Sequence, residues 1–306
     1  SYDSDKEIMV TVGGSEAIDA AMRAMLNPGD EVLIPQPSYV SYVPCAVLAD
    51  GVPVVIELEE KDHFKLTPEK LLEKITDKTK ILVLPFPNNP TGAIMERHEL
   101  EEIAKIVVEK DIFVISDEIY SELTYTDNHV TIASFPGMKE RTVLINGFSK
   151  SYAMTGWRVG YLLADTRLVP QMAKLQEGIV SCVSTFSQVA AAEALKSREC
   201  VEWMRGEYAR RRDILIDGIN SIPGFSCKKS PGSFYAFVNI KAFGKTSDEF
   251  AEELIRNAGV VTVPGSAFGK MGEGYLRMVF ANSDENLKEA VRRIRAYVEK
   301  AYPDIQ

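Results

Sequence analysis

Four polar clusters interrupt the apolar runs in the first half of the chain: Gly13-Gly14-Ser15-Glu16, Asn88-Asn89-Pro90-Thr91-Gly92, Ser116-Asp117-Glu118-Ile119-Tyr120 and Asn146-Gly147-Phe148-Ser149-Lys150. Together they hold the parts of one reactive site. Glycines opening a helix leave free backbone N–H groups that an anion can approach closely. Lys150 adds an amine. Asp117 adds a carboxylate, Asn89 an amide and Tyr120 a phenol, while Arg158 and Arg277 add planar guanidiniums that fork onto phosphate or carboxylate. Taken singly, each has an ordinary explanation. Gly-Gly-Ser is a turn with a helix cap, and Asn-Pro-Thr-Gly is a turn in its own right. Asp117 could cap a following helix, Lys150 could be solvated, and arginines commonly form surface ion pairs of little worth. Their joint occurrence, in this order after apolar runs, argues for one site.

Those clusters need strands to carry them. Short β-rich runs occur at Val32 to Ile34, Val52 to Ile56, Ile81 to Leu84, Ile112 to Ile115, Val143 to Ile145 and Val159 to Leu163. Helical periodicity lies between several of them. Glu16 to Leu26 puts Ala17, Ile18, Ala21, Met22 and Met25 on one stripe, Thr67-Pro68 opens a helix to Lys74, and Glu99 to Lys110 repeats the pattern. The alternation predicts an α/β fold, a mostly parallel sheet with helices on both faces, whose ligands sit at the carboxyl ends of the strands. From about Glu202 the texture changes. A long helix from Val201 to Ile219 precedes strands at Phe234 to Ile240, Val260 to Val263 and Tyr275 to Val279, and a last helix runs from Asp284 to about Tyr302. The expected division is a large cofactor-binding domain over 1–200 and a smaller C-terminal α+β domain over 201–306.

Bulk properties narrow the classes. The 306 residues suit two domains or one large α/β unit. The four cysteines are scattered without paired spacing, and the three histidines lack ligand spacing, so no disulfide framework and no metal site are expected. A net charge of -9 argues against broad nucleic-acid binding. It says little about small anions, which answer to local arginines. No apolar run suits a membrane span and no leader opens the chain, so the cytoplasm is the expected location.

The runs Thr11-Val12-Gly13-Gly14-Ser15-Glu16-Ala17-Ile18, Asn89-Pro90-Thr91-Gly92, Asp117-Glu118-Ile119-Tyr120 and Ser149-Lys150 to Gly160 resemble the ordered signatures of class I/II aminotransferases. The spacing of eight from Lys150 to Arg158 matches as well, as do Pro231-Gly232-Ser233-Phe234-Tyr235, Val263 to Gly269 and Leu276-Arg277. The likeness runs from about Met9 to Ala281. It is greatest to prokaryotic aromatic or broad-specificity members of this pyridoxal 5'-phosphate-dependent family.

The resemblance implies roles. Lys150 would hold the cofactor through its aldehyde carbon and later shuttle a proton. Asp117 would pair with the pyridine nitrogen and keep it protonated. Asn89 and Tyr120 would bond the ring oxygen, and Tyr39 would stack on the ring. Gly14, Ser15, Ser149 and Arg158 would bind the phosphate, with Glu16 in the same cofactor-binding turn. Arg277, with Asn89 beside it, would grip the substrate carboxylate. Implied partners are amino-acid and 2-oxo-acid substrates, 2-oxoglutarate the expected acceptor in a ping-pong cycle, and a second copy in a homodimer. Dedicated aspartate enzymes carry an arginine in the segment here reading Ser181 to Phe186, which has none, so strict dicarboxylate use is not expected. Family members also have a segment ahead of the phosphate turn, and the chain reads as an N-terminally shortened member. A carbon–sulfur β-lyase, or a non-catalytic cofactor-binding sensor or fragment, would share the same residues and stays open.

Overall fold

The computed structural model describes residues 1–126 and 129–305. In chain order the large sheet and its helices are β1 (Ile8–Thr11), α1 (Gly13–Met25), β2 (Glu31–Gln36), α2 (Tyr42–Leu48), β3 (Val52–Glu57), α3 (Pro68–Lys74), β4 (Thr79–Leu84), α4 (Arg97–Glu109), β5 (Phe113–Asp117), β6 (Thr142–Gly147) and β7 (Gly160–Leu163). Then follow α5 (Val169–Val180), α6 (Thr185–Ala194), α7 (Arg198–Asn220), β8 (Tyr235–Asn239), α8 (Ser247–Glu253), β9 (Val263–Pro264), β10 (Tyr275–Val279) and α9 (Asp284–Ala301).

The first seven strands form one sheet in the order β1-β7-β6-β5-β4-β2-β3. Neighbours from β3 through β6 pair in parallel. β7 runs against both β6 and β1, so β1 points the same way as β6. The mostly parallel sheet is therefore as expected. The short β1 was not foreseen, and β7, read as part of the parallel alternation, is reversed. Period-two alternation builds both hydrophobic layers. Val32, Ile34, Ile81, Val83, Ile115, Val143 and Ile145 face one way, towards the buried stripe of α1. Leu33, Leu82, Leu84 and Val114 face the other, towards Leu71 of α3 and Leu100, Ile103, Ala104 and Val107 of α4. Each buried valine, leucine or isoleucine of these layers contributes about 1.5–3 kcal/mol, which pins the strand register and hence the residues at its ends. Local signals agree. Thr67 caps α3 by accepting from the Lys70 N–H at 3.4 Å, and the Glu99 carboxylate accepts from the Glu96 N–H at 2.7 Å as α4 begins.

The second sheet, β8-β10-β9, is antiparallel and packs its apolar face on α7, α8 and α9. β9 is shorter and later than the expected Val260 to Val263. The Val260 N–H closes the preceding helical turn on the Leu254 carbonyl, so ladder pairing starts only where Val263 meets Arg277. The two sheets are laced together beside the cavity described below. Gly232 N–H donates to the Gly92 carbonyl at 2.9 Å, Tyr125 N–H to Pro231 at 2.9 Å and Ser38 N–H to Phe268 at 3.1 Å. No helix among the described residues is long and apolar enough to cross a membrane.

Candidate active site

Because β1 and β6 point the same way, the phosphate-like turn and the lysine loop emerge at one edge, beside the ends of β2, β4 and β5. A cavity of about 250 Å3 opens there. At its floor the backbone does the positioning. Gly13 begins α1 with a φ of +74°, a conformation that costs other residues about 1–2 kcal/mol. A Cβ at Gly13 would lie 2.4 Å from Arg158 Nη2. One at Gly160 would lie 2.7 Å from the Gly13 carbonyl carbon, and one at Gly147 would lie 2.9 Å from Gly160 Cα. Three backbones thus touch without intervening side chains. Val12, at the cap position, has no side-chain cap hydrogen bond to the first N–H groups of α1, and the Arg158 guanidinium lies against Gly13, its Nη1 donating to the Thr155 carbonyl at 2.9 Å. Ser15 stands at the same turn, its hydroxyl 3.3 Å from Tyr39 Oη. A helix start and a guanidinium so placed could hold an anion.

Asp117 ends β5 with its carboxylate buried. Tyr42 Oη donates to Oδ2 at 2.7 Å and the Ile119 N–H to Oδ1 at 3.2 Å. Burial raises its pKa above the ordinary carboxylate range, and the Tyr42 hydrogen bond opposes that rise. Behind it Glu118 fastens the strand end. Its carboxylate accepts from Ser116 Oγ at 2.9 Å and Thr131 Oγ1 at 2.6 Å, and pairs with His129 Nε2 at 2.7 Å. Lys150 follows β6 into the cavity. Burial holds its ammonium below the ordinary lysine range, and the Arg158 and Arg277 charges push the same way against Tyr39 and Asp117. An amine so placed is more easily free of its proton.

The second sheet closes the far wall. Arg277 Nη1 donates to Asn89 Oδ1 at 2.9 Å, and its Cζ lies 4.4 Å from the Tyr235 ring centroid and 4.7 Å from that of Phe268. Its Nε is buried without a hydrogen-bond partner among the described residues, a donor that a carboxylate would satisfy. Tyr120 and Tyr235 share a hydrogen bond at 2.9 Å, and burial pushes the Tyr120 phenol well above its usual range.

Gly14, Ser15, Tyr39, Asn89, Asp117, Tyr120, Ser149, Lys150, Arg158 and Arg277 all line this one cavity. Glu16 does not. Its carboxylate turns back to the Val12 N–H and to Gln176 Nε2 at 2.9 Å, so it braces the start of α1 against α5. Two tyrosines of the lining, Tyr42 and Tyr235, were absent from the expected site, as were Ile18, Pro85, Pro87, Ile119 and Thr155. Only helical phase, placing Tyr42 on the sheet-facing side of α2 after Tyr39, could have pointed to the first. Strand alternation from Arg277 across to β8 could have pointed to the second. The charged lining residues are three cations, Lys150, Arg158 and Arg277, against the single carboxylate Asp117. In a chain of net charge -9 this is a local cationic well for an anionic ligand.

Comparison with known proteins agrees with that chemistry. Residues 1–294 match the family model described as aminotransferase class I and II. The chain is 46% identical over 296 residues to an aspartate aminotransferase of Pyrococcus abyssi, covering 95% of this chain and 76% of that protein. It is 44% identical to aromatic-amino-acid aminotransferase 2 of Thermococcus litoralis, with the same two coverages. The crystal structure of an aromatic aminotransferase from Pyrococcus horikoshii superposes with a TM-score of 0.96 at 45% identity, over 98% of this chain and 81% of that one.

Proposed function

The chain belongs to the class I and II aminotransferases, pyridoxal 5'-phosphate enzymes of the type I fold, and on that premise we propose that it moves the amino group of an aromatic or broader range of amino acids, aspartate included, onto 2-oxoglutarate in a ping-pong cycle. The observation that carries this reading is Arg277. Its fork is fixed by Asn89 and two aromatic rings, with Nε free, in the same cavity as Lys150 and Asp117. A carboxylate common to every amino and oxo acid fits that donor.

The residues present suit the cofactor. Gly14, Ser15, Ser149 and Arg158 would hold its phosphate at the start of α1, Asp117 would pair with its ring nitrogen, and Tyr39 would lie against its ring. When bound, it supplies the carbonyl carbon that takes up the amino group and a protonated ring that draws electrons from the substrate Cα. The chain's own groups do the rest. Asp117, buried and supported by Tyr42, would hold the proton on the ring nitrogen. Tyr120 and Asn89 donate to the ring oxygen. Lys150 anchors the cofactor and then carries the proton from Cα on its depressed amine. Arg277 orients the Cα–H bond, and such positioning lowers a barrier by up to about 7–11 kcal/mol in the best intramolecular cases.

Four tyrosines, Tyr39, Tyr42, Tyr120 and Tyr235, line the cavity, and the segment Ser181 to Phe186 carries no arginine, which supports aromatic and broad donors. Further proposals are the division into 1–200 and 201–306 and a cytoplasmic homodimer. Phe186 and Val189 on α6, Leu195 at its end and Trp203 on α7 are large apolar side chains left exposed, which suits burial against a second copy, and all four cysteines are free thiols. The deciding experiment incubates the purified protein with phenylalanine or aspartate and 2-oxoglutarate. Glutamate and the new oxo acid should form in equal amounts. No glutamate from either donor, together with pyruvate, ammonia and thiol released in equal amounts from an S-alkylcysteine, would refute transfer and favour the lyase.

A further inference from the structure

Tyr235 touches both the arginine assigned to the substrate and the phenol assigned to the cofactor. It begins β8 opposite Val279, while Arg277 lies opposite Phe237. Tyr235 and Arg277 are therefore diagonal neighbours on one face of an antiparallel ladder, within reach of an aromatic and a long side chain. That register puts the Tyr235 ring under the guanidinium at 4.4 Å, while its hydroxyl meets Tyr120 Oη at 2.9 Å. The residue is 6% exposed, and its ring is fixed edge-on to Tyr120 at 5.8 Å, with Phe234 edge-on to Tyr120 at 5.4 Å. Its carbonyl accepts from Ser230 Oγ. Little freedom is left to it.

We infer that Tyr235 is a positioning residue that serves both halves of the reaction, its hydroxyl supporting Tyr120 and its ring face supporting Arg277. The inference rests on the proposed roles of those two residues. If Tyr120 gives its proton to the cofactor's ring oxygen, the proton in the Tyr120–Tyr235 hydrogen bond has to come from Tyr235. An O–H that accepts a hydrogen bond is a stronger donor, because the two bonds polarise each other. Tyr235 therefore strengthens the stabilisation of negative charge on the ring oxygen. Under Arg277 it contributes through the face of its ring, for which no hydroxyl is needed.

The two contacts can be separated. The holoenzyme's visible absorption band is titrated with pH, and the Kd of 3-phenylpropionate, a carboxylate with no amino group to react, is read from the same band. The ring oxygen carries most negative charge in the high-pH form, so a weaker donor moves the transition up. Tyr235→Phe should raise it by about 0.1–0.6 pH units, the 10–30% cooperative share of one charge-assisted hydrogen bond, and leave the Kd within about two-fold. Tyr235→Leu should give the same shift and weaken 3-phenylpropionate about 2- to 30-fold, as expected for a lost cation–π contact. Tyr120→Phe should move the transition further than either, and adding Tyr235→Phe to it should change nothing more. A transition moved by Tyr120→Phe and not by Tyr235→Phe would overturn the inference, as would full additivity of the two or parent-like binding in Tyr235→Leu. A transition unmoved by Tyr120→Phe would remove Tyr120 from the ring oxygen, and the inference would fall with that reading.

Discussion

Replacing Tyr42 with phenylalanine removes one oxygen and nothing else. The side chain is 2% exposed, so its hydroxyl has no water to turn to and spends its proton on Asp117 Oδ2 at 2.7 Å. Phenylalanine fills the same space without leaving a void. A hydrogen bond to a buried carboxylate contributes about 1.5–3 kcal/mol, against about 0.5–1.5 for a neutral one. Tyr42→Phe therefore costs the apoprotein more when Asp117 is ionised than when it is protonated. The sign follows from the pKa. Burial raises Asp117 above its unfolded value, so its contribution to stability is full below about pH 3.9, the ordinary aspartate value. That contribution is lost as the pH rises through the raised folded pKa. Tyr42 limits the loss, and without it the folded pKa rises further and the loss deepens. Urea unfolding of both apoproteins, followed by far-UV circular dichroism at a series of pH values, reads the effect. The stability gap should be about 0.5–1.5 kcal/mol at the acid end and widen to about 1.5–3 kcal/mol at pH 8. A gap that stays constant or narrows with rising pH would show that Tyr42 does not support the ionised carboxylate.

Three more outcomes are expected. Arg277→Lys keeps the charge and loses the fork, so KM for amino and oxo acids alike should rise about 10- to 100-fold; a rise confined to one donor would move Arg277 to a side-chain pocket. Gly13→Ala sets a Cβ 2.4 Å from Arg158 Nη2 at a φ of +74°, and should weaken cofactor binding to the apoprotein about 10-fold through roughly 1–2 kcal/mol of backbone strain and a displaced guanidinium. An unchanged cofactor titration would place the phosphate elsewhere. Lys150→Ala should abolish amino transfer and keep the circular dichroism spectrum, and borohydride reduction of the parent should fix the cofactor to Lys150. Attachment to another lysine would end that assignment.

What the sequence made legible was the chemistry that sits directly on strand ends. Asp117, Asn89 and Lys150 each follow an apolar run whose burial on both faces leaves one reading of direction and register, so their convergence could be inferred without coordinates. Tyr42 could not be reached that way. It lies 75 residues from Asp117, and its hydroxyl finds the carboxylate only because α2 packs against that end of the sheet. Tyr235 depends on the register of β8 against β10, which hydrophobic alternation leaves free to slide by two. Glu16 misled for a local reason, since a carboxylate in the first turn of a helix satisfies backbone N–H groups more readily than it meets a ligand. β1 is only four residues long, too short for alternation to rise above its surroundings. β9 was placed early because a valine-rich stretch looks like a strand even where its first N–H is already committed to a helix end.

Gly13, Gly147 and Gly160 also bear on how this protein can be changed. Where backbone rests on backbone, the spacing between the glycine turn that opens α1 and the lysine loop is set by covalent geometry and atomic radii, with no side chain to trim or enlarge. Remodelling the hydrophobic layers can alter how firmly the sheet holds, yet it has no lever on that distance. A library aimed at new donors should therefore hold these three positions and spend its diversity on Ile18 and Ile119 of the cavity wall. The reacting groups would then act as a fixed gauge, and the walls as the part that can be refitted.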